Sequence, residues 1–277
     1  MSGQILDVAD LGVEFGHGRS KFRALHDVTF DVAPGETVGL VGESGSGKTT
    51  IGRTILGLVK PSDGKITFKG ADITHAGRSE RRALSRDIQV VFQDPYTSLN
   101  PSLTIEAILA EPLRAQGVDR KEASRRVREL LDRVQLPSDA ANRLPREFSG
   151  GQRQRVAIAR ALALRPSLIV CDEPVSALDL STQQRVLDLF IEIQRETGCA
   201  YLFVSHDLSV IRHISHRVIV LNKGSIVESG DVEKVTSDPD DAYTRRLMMS
   251  APIPDPSAQR ERRAVLEQMK VTEHAAK

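Results

Sequence analysis

Over the first eighty residues the apolar positions fall into short, strand-like runs. Residues 24 to 32 and 36 to 41, within ALHDVTFDVAPGETVGLVG, form two such runs divided by the turn pair Pro34-Gly35. A third, KITFKG at 65 to 70, alternates apolar with polar side chains and ends on glycine. Between them, KTTIGRTILGLV carries Ile51, Ile55 and Leu58 three to four residues apart, the spacing of one helix face.

The rhythm changes near residue 101. SLTIEAILAEPLRAQGV and DRKEASRRVRELLDRVQL both have helical period, and Val127, Leu130, Leu131 and Val134 form an apolar stripe on an otherwise charged helix. That stripe reads as a packing surface. Beyond residue 155 the pattern alternates between helix and strand. PSLIVCDE and CAYLFVSHD are short, nearly continuous apolar runs, expected of parallel strands covered on both faces. Helical segments precede and separate them, which predicts a βαβ arrangement. Residues 251–277, charged and proline-bearing, read as a tail with one helix at 258–270.

Composition narrows the classes. The 277 residues are 40% hydrophobic and 27% charged with a formal net charge of +1, so the basic excess of a nucleic-acid binder is missing. No apolar run approaches the roughly eighteen residues that span a bilayer. The opening MSGQILDVAD lacks a basic stretch followed by an apolar core, so no secretory signal is predicted. The two cysteines, Cys171 and Cys199, form no CxxC pair, and a cytosolic protein with reduced thiols is expected.

The chemistry starts at GESGSGKTT. Gly42, Glu43, Ser44, Gly45, Ser46, Gly47, Lys48 and Thr49 fit G-x-x-x-x-G-K-[ST], followed by Thr50. They lie between the apolar strand TVGLV and a helix, where the motif belongs. Backbone N–H groups and a helix N-terminus favour phosphate there. Lys48 is placed for the β- and γ-phosphates and the Thr49 hydroxyl for Mg2+. LIVCDE, 168 to 173, is an apolar strand ending in two carboxylates: Asp172 suits a Mg2+ shell and Glu173 suits polarisation of an attacking water. A GTPase would carry an N-K-x-D base reader, and NKGS at 222–225 lacks the aspartate. A second glycine pair, in EFSGGQRQR at 147–155, opens a helical stretch and raises the question of a second anion site on one chain.

Taken together, these motifs resemble the nucleotide-binding subunits of ABC transporters. FSGGQ, with Ser149, Gly150, Gly151 and Gln152, is similar to that family's signature, with Phe148 where Leu is commoner. VVFQDP resembles its Q-loop with Gln93 as the glutamine, SALD its D-loop ending in Asp179, and VSHD its switch region with His206. Phe15, closing VEF, stands where the family stacks an aromatic on adenine, with Phe22 as its competitor. The resemblance covers residues 4 to 250. It implies an α/β fold of the P-loop NTPase, ABC ATPase type. The expected parts are an N-terminal antiparallel β subdomain and an inserted α-helical subdomain at about 96–155, within one nucleotide-binding domain of residues 1–250. It also implies ATP and Mg2+, held by Thr49, Gln93 and Asp172, with Glu173, His206 and Gln93 catalytic. The signature residues would contact the ATP of a second ATPase subunit in a head-to-tail dimer.

With no membrane segment in the sequence, the resemblance implies separate integral-membrane permease subunits. It also implies an extracytoplasmic solute-binding protein, a place on the cytoplasmic face of the membrane, and no nucleic-acid partner. GLVGESGSGKTT, FQDPYTSLNPSLT and AYTRRLMMSAP are similar to the oligopeptide, dipeptide and nickel importer branch, Ala242 replacing the proline usual before YT. Some members of that branch carry a C-terminal cysteine cluster, and no cysteine follows Cys199 here. A DNA-repair ATPase would separate the P-loop from the signature by a long coiled coil, and a ribosomal one would usually carry two cassettes. Peptide against nickel, and a copy against a sister ATPase in the dimer, stay open at this level.

Overall fold

In a computed structural model, residues 3–16 and 18–250 are described. The helix expected at 258–270 lies outside them. The chain builds two sheets. The smaller is antiparallel with order β2-β1-β4-β5, from β1 (Leu6–Phe15), β2 (Phe22–Val32), β4 (Asp63–Phe68) and β5 (Ala71–Asp72). The larger has order β10-β9-β3-β8-β7-β6, from β3 (Thr37–Val41), β6 (Ile88–Val91), β7 (Leu168–Asp172), β8 (Ala200–Val204), β9 (Arg217–Asn222) and β10 (Ser225–Asp231). Five of its strands run parallel, and β10 pairs antiparallel with β9.

A period of two divides the core. Val38, Leu40, Leu168, Val170, Ala200, Leu202, Val204, Ile219 and Leu221 face the antiparallel sheet and helix α1 (Lys48–Ile55). Their neighbours Val41, Ile169, Cys171, Tyr201, Phe203, Val218 and Val220 face the other way, into the helices. This is why LIVCD and AYLFV carry no alternation: each residue has an apolar layer above or below it. On the helical side Phe190 meets Tyr201 and Phe203 edge to face at 5.5 and 5.6 Å. The Tyr201 hydroxyl donates to the Phe190 carbonyl at 3.1 Å, so even this buried phenol is paired.

The chain between β6 and β7 is helical. It comprises α3 (Pro95–Ser98), α4 (Ile105–Ala115), α5 (Arg120–Arg133) and α6 (Gly150–Leu162), with short 3-10 turns before α6; α2 (Arg78–Leu84) precedes β6. Thr104 caps α4 through the Ala107 N–H and Asp119 caps α5 through those of Lys121 and Glu122, so both helices begin later than their periodic pattern. The stripe Val127, Leu130, Leu131 and Val134 is buried as expected. Helices α7 (Leu180–Thr197), α8 (Leu208–Ile214), α9 (Val232–Ser237) and α10 (Ala242–Ser250) complete the fold.

Two expectations need correcting. Helix α1 stops at Ile55 and Gly57 takes φ +75°, so Leu58 leaves the buried stripe and is 64% exposed. The strand at 65–70 ends at Phe68 because Lys69 and Gly70 both take positive φ and turn the chain into β5.

The approach of α6 to α7 separates the two adjacent glycines. A Cβ on Gly151 would collide with the Thr182 methyl of α7, whereas one on Gly150 would meet Leu178 at an ordinary 3.6 Å. Gly150→Ala is therefore expected to be neutral or slightly stabilising, since alanine favours a helix by up to about 1 kcal/mol over glycine. Gly151→Ala is expected to cost about 1–3 kcal/mol by overpacking. Urea unfolding midpoints of the two variants check the contrast.

Candidate functional site

Because β3, β6, β7 and β8 run parallel, their C-terminal ends share one edge of the sheet, where ligands of open α/β sheets bind. That edge receives the loop from Gly42, then Gln93, the pair Asp172-Glu173, and His206. β8, which delivers His206, lies between the glycine-loop strand and the carboxylate strand.

The glycine-rich loop wraps the N-terminus of α1, with Gly47 at the N-cap in a left-handed conformation, φ +109°. A side chain there would also meet Leu25 and the Ala24 carbonyl, at 2.7 and 3.2 Å, so glycine is required twice over. Lys48 is 5% exposed, and its ammonium donates to the carbonyls of Gly42 and Glu43 at 2.7 and 2.8 Å. Burial lowers its pKa, opposed by the carboxylates of Glu173, Asp172 and Glu43. Ser46 is buried and its carbonyl accepts the Gly224 N–H, tying the loop to the β9–β10 turn. Glu43, Ser44 and Gly45 are exposed at the loop's crest, and the Thr50 carbonyl accepts the Thr54 hydroxyl within α1.

The Thr49 hydroxyl donates to Asp172 Oδ1 at 3.1 Å, bringing two hard oxygen groups together. Burial raises the Asp172 pKa and the Thr49 hydrogen bond offsets it. Glu173 takes φ +49°, a conformation that costs a non-glycine residue about 1–2 kcal/mol. The kink follows directly after β7 and is fixed by the Glu173 N–H donating to the Val204 carbonyl at 3.0 Å. The carboxylate lines a cavity of about 230 Å³ shared with Phe15, Phe22, Ser44, Gly45, Gly47, Lys48, Thr49 and Thr50. Its Oε2 lies 3.0 Å from Nδ1 of His206. Phe15 and Phe22 pair across the β1–β2 hairpin and both line that cavity, 43% and 65% exposed. Gln93 is exposed in the bend between β6 and α3 and does not line the cavity.

The glycine pair of EFSGGQRQR opens α6. Ser149 is the N-cap: its Oγ accepts the Gln152 N–H at 3.3 Å, and Gln152 Oε1 accepts the Ser149 N–H at 3.0 Å. S-G-G-Q is therefore a capping box, with the serine hydroxyl proton still available to donate outward. A cavity of about 380 Å³ opens at this helix start, lined by Ser149, Gly151, Gln152, Arg155, Thr182 and Arg185 among others. It shares no lining residue with the first. Asp179 caps α7, accepting from the Ser181 hydroxyl and the Thr182 N–H, which hold its carboxyl down at about 2. The Arg153 guanidinium lies 4.0 Å above the Tyr96 ring, joining α6 to α3 just after Gln93.

Three contributions escape a reading by motif. Arg155 and Arg185 line the second cavity, and only Arg155 lies within the glycine-pair string. Tyr243 of α10 reaches back to the glycine loop, where its hydroxyl accepts the Glu43 N–H at 3.0 Å. The sequence places that tyrosine 200 residues from its partner, and only the YT string marks it. A wider cleft of about 800 Å³ at the opposite edge, lined by Pro34, Lys69, Arg165, Pro166 and Thr197, receives the C-terminus of α7. That end of a helix dipole disfavours phosphate.

The family profile described as "ABC transporter" matches residues 25–176. The oligopeptide transport ATP-binding protein OppD of Mycobacterium tuberculosis is 49% identical over 246 residues, covering 89% of this chain and 40% of that protein. The chain thus spans well under half the length of that relative. A putative peptide import ATP-binding protein of Brucella ovis is 49% identical over 259 residues, covering 93% of this chain and 82% of its own length. Among solved structures, cbiO1 from Clostridium perfringens, part of the ABC transporter complex cbiONQ, aligns with TM-score 0.77 at 27% identity, covering 85% of this chain and 91% of that one. The ATP-binding cassette MJ0796, a dimer in a post-hydrolysis state bound to ADP and Pi, aligns with TM-score 0.73 at 32% identity, covering 82% and 98%. A profile match over more than half the chain, with relatives 49% identical across most of it, shows that the chain belongs to the ABC transporter family.

Proposed function

We propose that this chain is the ATP-binding and ATP-hydrolysing subunit of an importer for oligopeptides or dipeptides. It would work beneath separate membrane permease subunits fed by an extracytoplasmic solute-binding protein. The carrying observation is the pair of cavities with no lining residue in common, one at a lysine-bearing phosphate loop and one at a capped helix N-terminus. In this reading the first cavity holds the chain's own ATP and the second serves the ATP of an opposing ATPase subunit. Peptide as the cargo rests on the names of the relatives, which also include the glutathione import protein GsiA of Salmonella paratyphi A, 49% identical over 253 residues. No helix among the described residues is long and apolar enough to cross a membrane.

In this reading Lys48 leaves the loop carbonyls for the β- and γ-phosphates, and Phe15 or Phe22 stacks on the base. Thr49 and Asp172, 3.1 Å apart, would contribute the protein's share of a Mg2+ shell, and Gln93, which stands outside the cavity, would have to move to join them. Bound there, Mg2+ would neutralise charge on the β- and γ-phosphates. Glu173 polarises the attacking water, and His206, whose Nδ1 lies 3.0 Å from that carboxylate, orients it and meets the γ-phosphate. Ser149 and the N–H groups opening α6 face the partner's γ-phosphate, with Asp179 bordering the same interface. Loss of that phosphate releases the two halves.

Glu173→Gln is expected to bind ATP, lose hydrolysis by about 100-fold or more, and accumulate as an ATP-bound dimer on size-exclusion chromatography. Wild-type turnover in that variant would sink the general-base role. Lys48→Ala should reduce both MgATP binding and ATPase to background, and retention of both would place the phosphates elsewhere. Ser149→Arg loses a cap worth about 1 kcal/mol and should keep monomer ATP affinity within about twofold while blocking dimerisation and hydrolysis. Loss of affinity in the monomer would show that Ser149 serves its own chain's nucleotide.

A further inference from the structure

The Gly42–Glu43 peptide is held at both ends. Its carbonyl, from Gly42, accepts the Lys48 ammonium at 2.7 Å. Its N–H, from Glu43, donates to the Tyr243 hydroxyl at 3.0 Å. The next carbonyl, from Glu43, also accepts Lys48, at 2.8 Å. The resting position of the lysine is thus defined by a peptide plane whose other face is fixed by a side chain from α10.

That side chain is itself held in register. The N–H groups of Asp240 and Asp241 donate to the two carboxylate oxygens of Glu228 on β10, at 2.8 and 3.1 Å. Asp241 Oδ1 then accepts the N–H groups of Tyr243 and Thr244, at 2.7 and 3.2 Å, fixing the first turn of α10. β10 pairs with β9, and β9 pairs with β3, the strand that runs into the glycine loop. The loop and α10 therefore share one rigid base. Tyr243 is 7% exposed, so its ring is held in place by packing while its hydroxyl meets the Glu43 N–H at the loop.

We infer that Tyr243 is a positioning residue for the nucleotide site, setting the Gly42–Glu43 peptide that pre-forms the phosphate loop around Lys48. The inference rests on the reading of that loop as an ATP site. Without the hydroxyl the Glu43 N–H lacks its partner and the peptide rotates in search of one. The free loop then samples more conformations, and ATP binding must restore order that the wild type already has. Once ATP is bound, its phosphates fix the loop, so turnover is spared. The defect falls on affinity.

The test uses the purified full chain carrying Tyr243→Phe, with Leu247→Ala as a control. Leu247 packs from the same helix against the core, and removing its side chain loosens α10 without deleting the hydroxyl. Two measurements are made: hydrogen exchange of the segment 41–48 without nucleotide, and the Kd of MgATP by competition with a fluorescent ATP analogue, alongside kcat. Tyr243→Phe is expected to exchange that segment faster and raise Kd about three- to tenfold. kcat should stay within about twofold, and Leu247→Ala should leave Kd within about twofold. Unchanged exchange and Kd in Tyr243→Phe, beside a wild type that binds MgATP, overturn the positioning role and leave the ATP reading standing. An equal rise in Leu247→Ala assigns the effect to helix docking and overturns it too. A wild-type chain that does not bind MgATP overturns the ATP reading, and this inference with it.

Discussion

Both faces of the six-stranded sheet are taken up by packing, and the rest of the structure follows from that constraint. Successive residues of β7 and β8 enter different cores, one shared with the antiparallel sheet and one with the helices. Within β7 and β8 the one side-chain hydroxyl, that of Tyr201, is taken up by the Phe190 carbonyl, so chemistry begins where the strands end. Parallel pairing then gathers those ends along one edge, which is how Lys48, Asp172, Glu173 and His206 come together from three loops far apart in the sequence. The left-handed conformation of Glu173 marks the transition, because it turns a carboxylate out of a fully buried strand and into the cavity.

The two glycine-bearing motifs use the same helix-start physics in different ways. At α1 the N-cap is Gly47, which supplies no side-chain hydrogen bond, and a side chain at that position would strike Leu25. The first-turn N–H groups of that helix are left to a ligand. At α6 the Ser149–Gln152 box already satisfies two of these donors, and the helix stands exposed at its tip. Gly150 keeps that tip small, while Gly151 lets α6 press against Thr182 of α7. The strings look alike on paper, yet one helix start has no side-chain cap and the other caps itself.

Around this edge the surrounding elements are joined by single side chains. Arg153 stacked on Tyr96 links α6 to the segment carrying Gln93, and Glu173 beside His206 links β7 to β8. Tyr243 links α10 to the loop before α1. Each joins segments far apart in sequence.

The local rules were legible in the sequence. The P-loop fell between a strand and a helix, the apolar runs became two-faced strands, and the stripe on α5 was buried. Glycines and carboxylates at fixed spacing specify local conformation and charge, which neighbouring residues alone settle. Boundaries were less legible: α1 stops before Leu58 and β4 before Lys69 because turns with positive φ, invisible to a period count, end them. What only the tertiary structure decided is which distant residues share a site. Strand order sets β8 between β3 and β7, the β1–β2 hairpin brings both Phe15 and Phe22 to the cavity, and the pairing of β10 with β9 delivers Tyr243 to Glu43. Sequence spacing carries no record of these meetings, since they depend on long-range packing of whole layers, and that packing gave the glycine-rich loop and the start of α6 cavities with no lining residue in common.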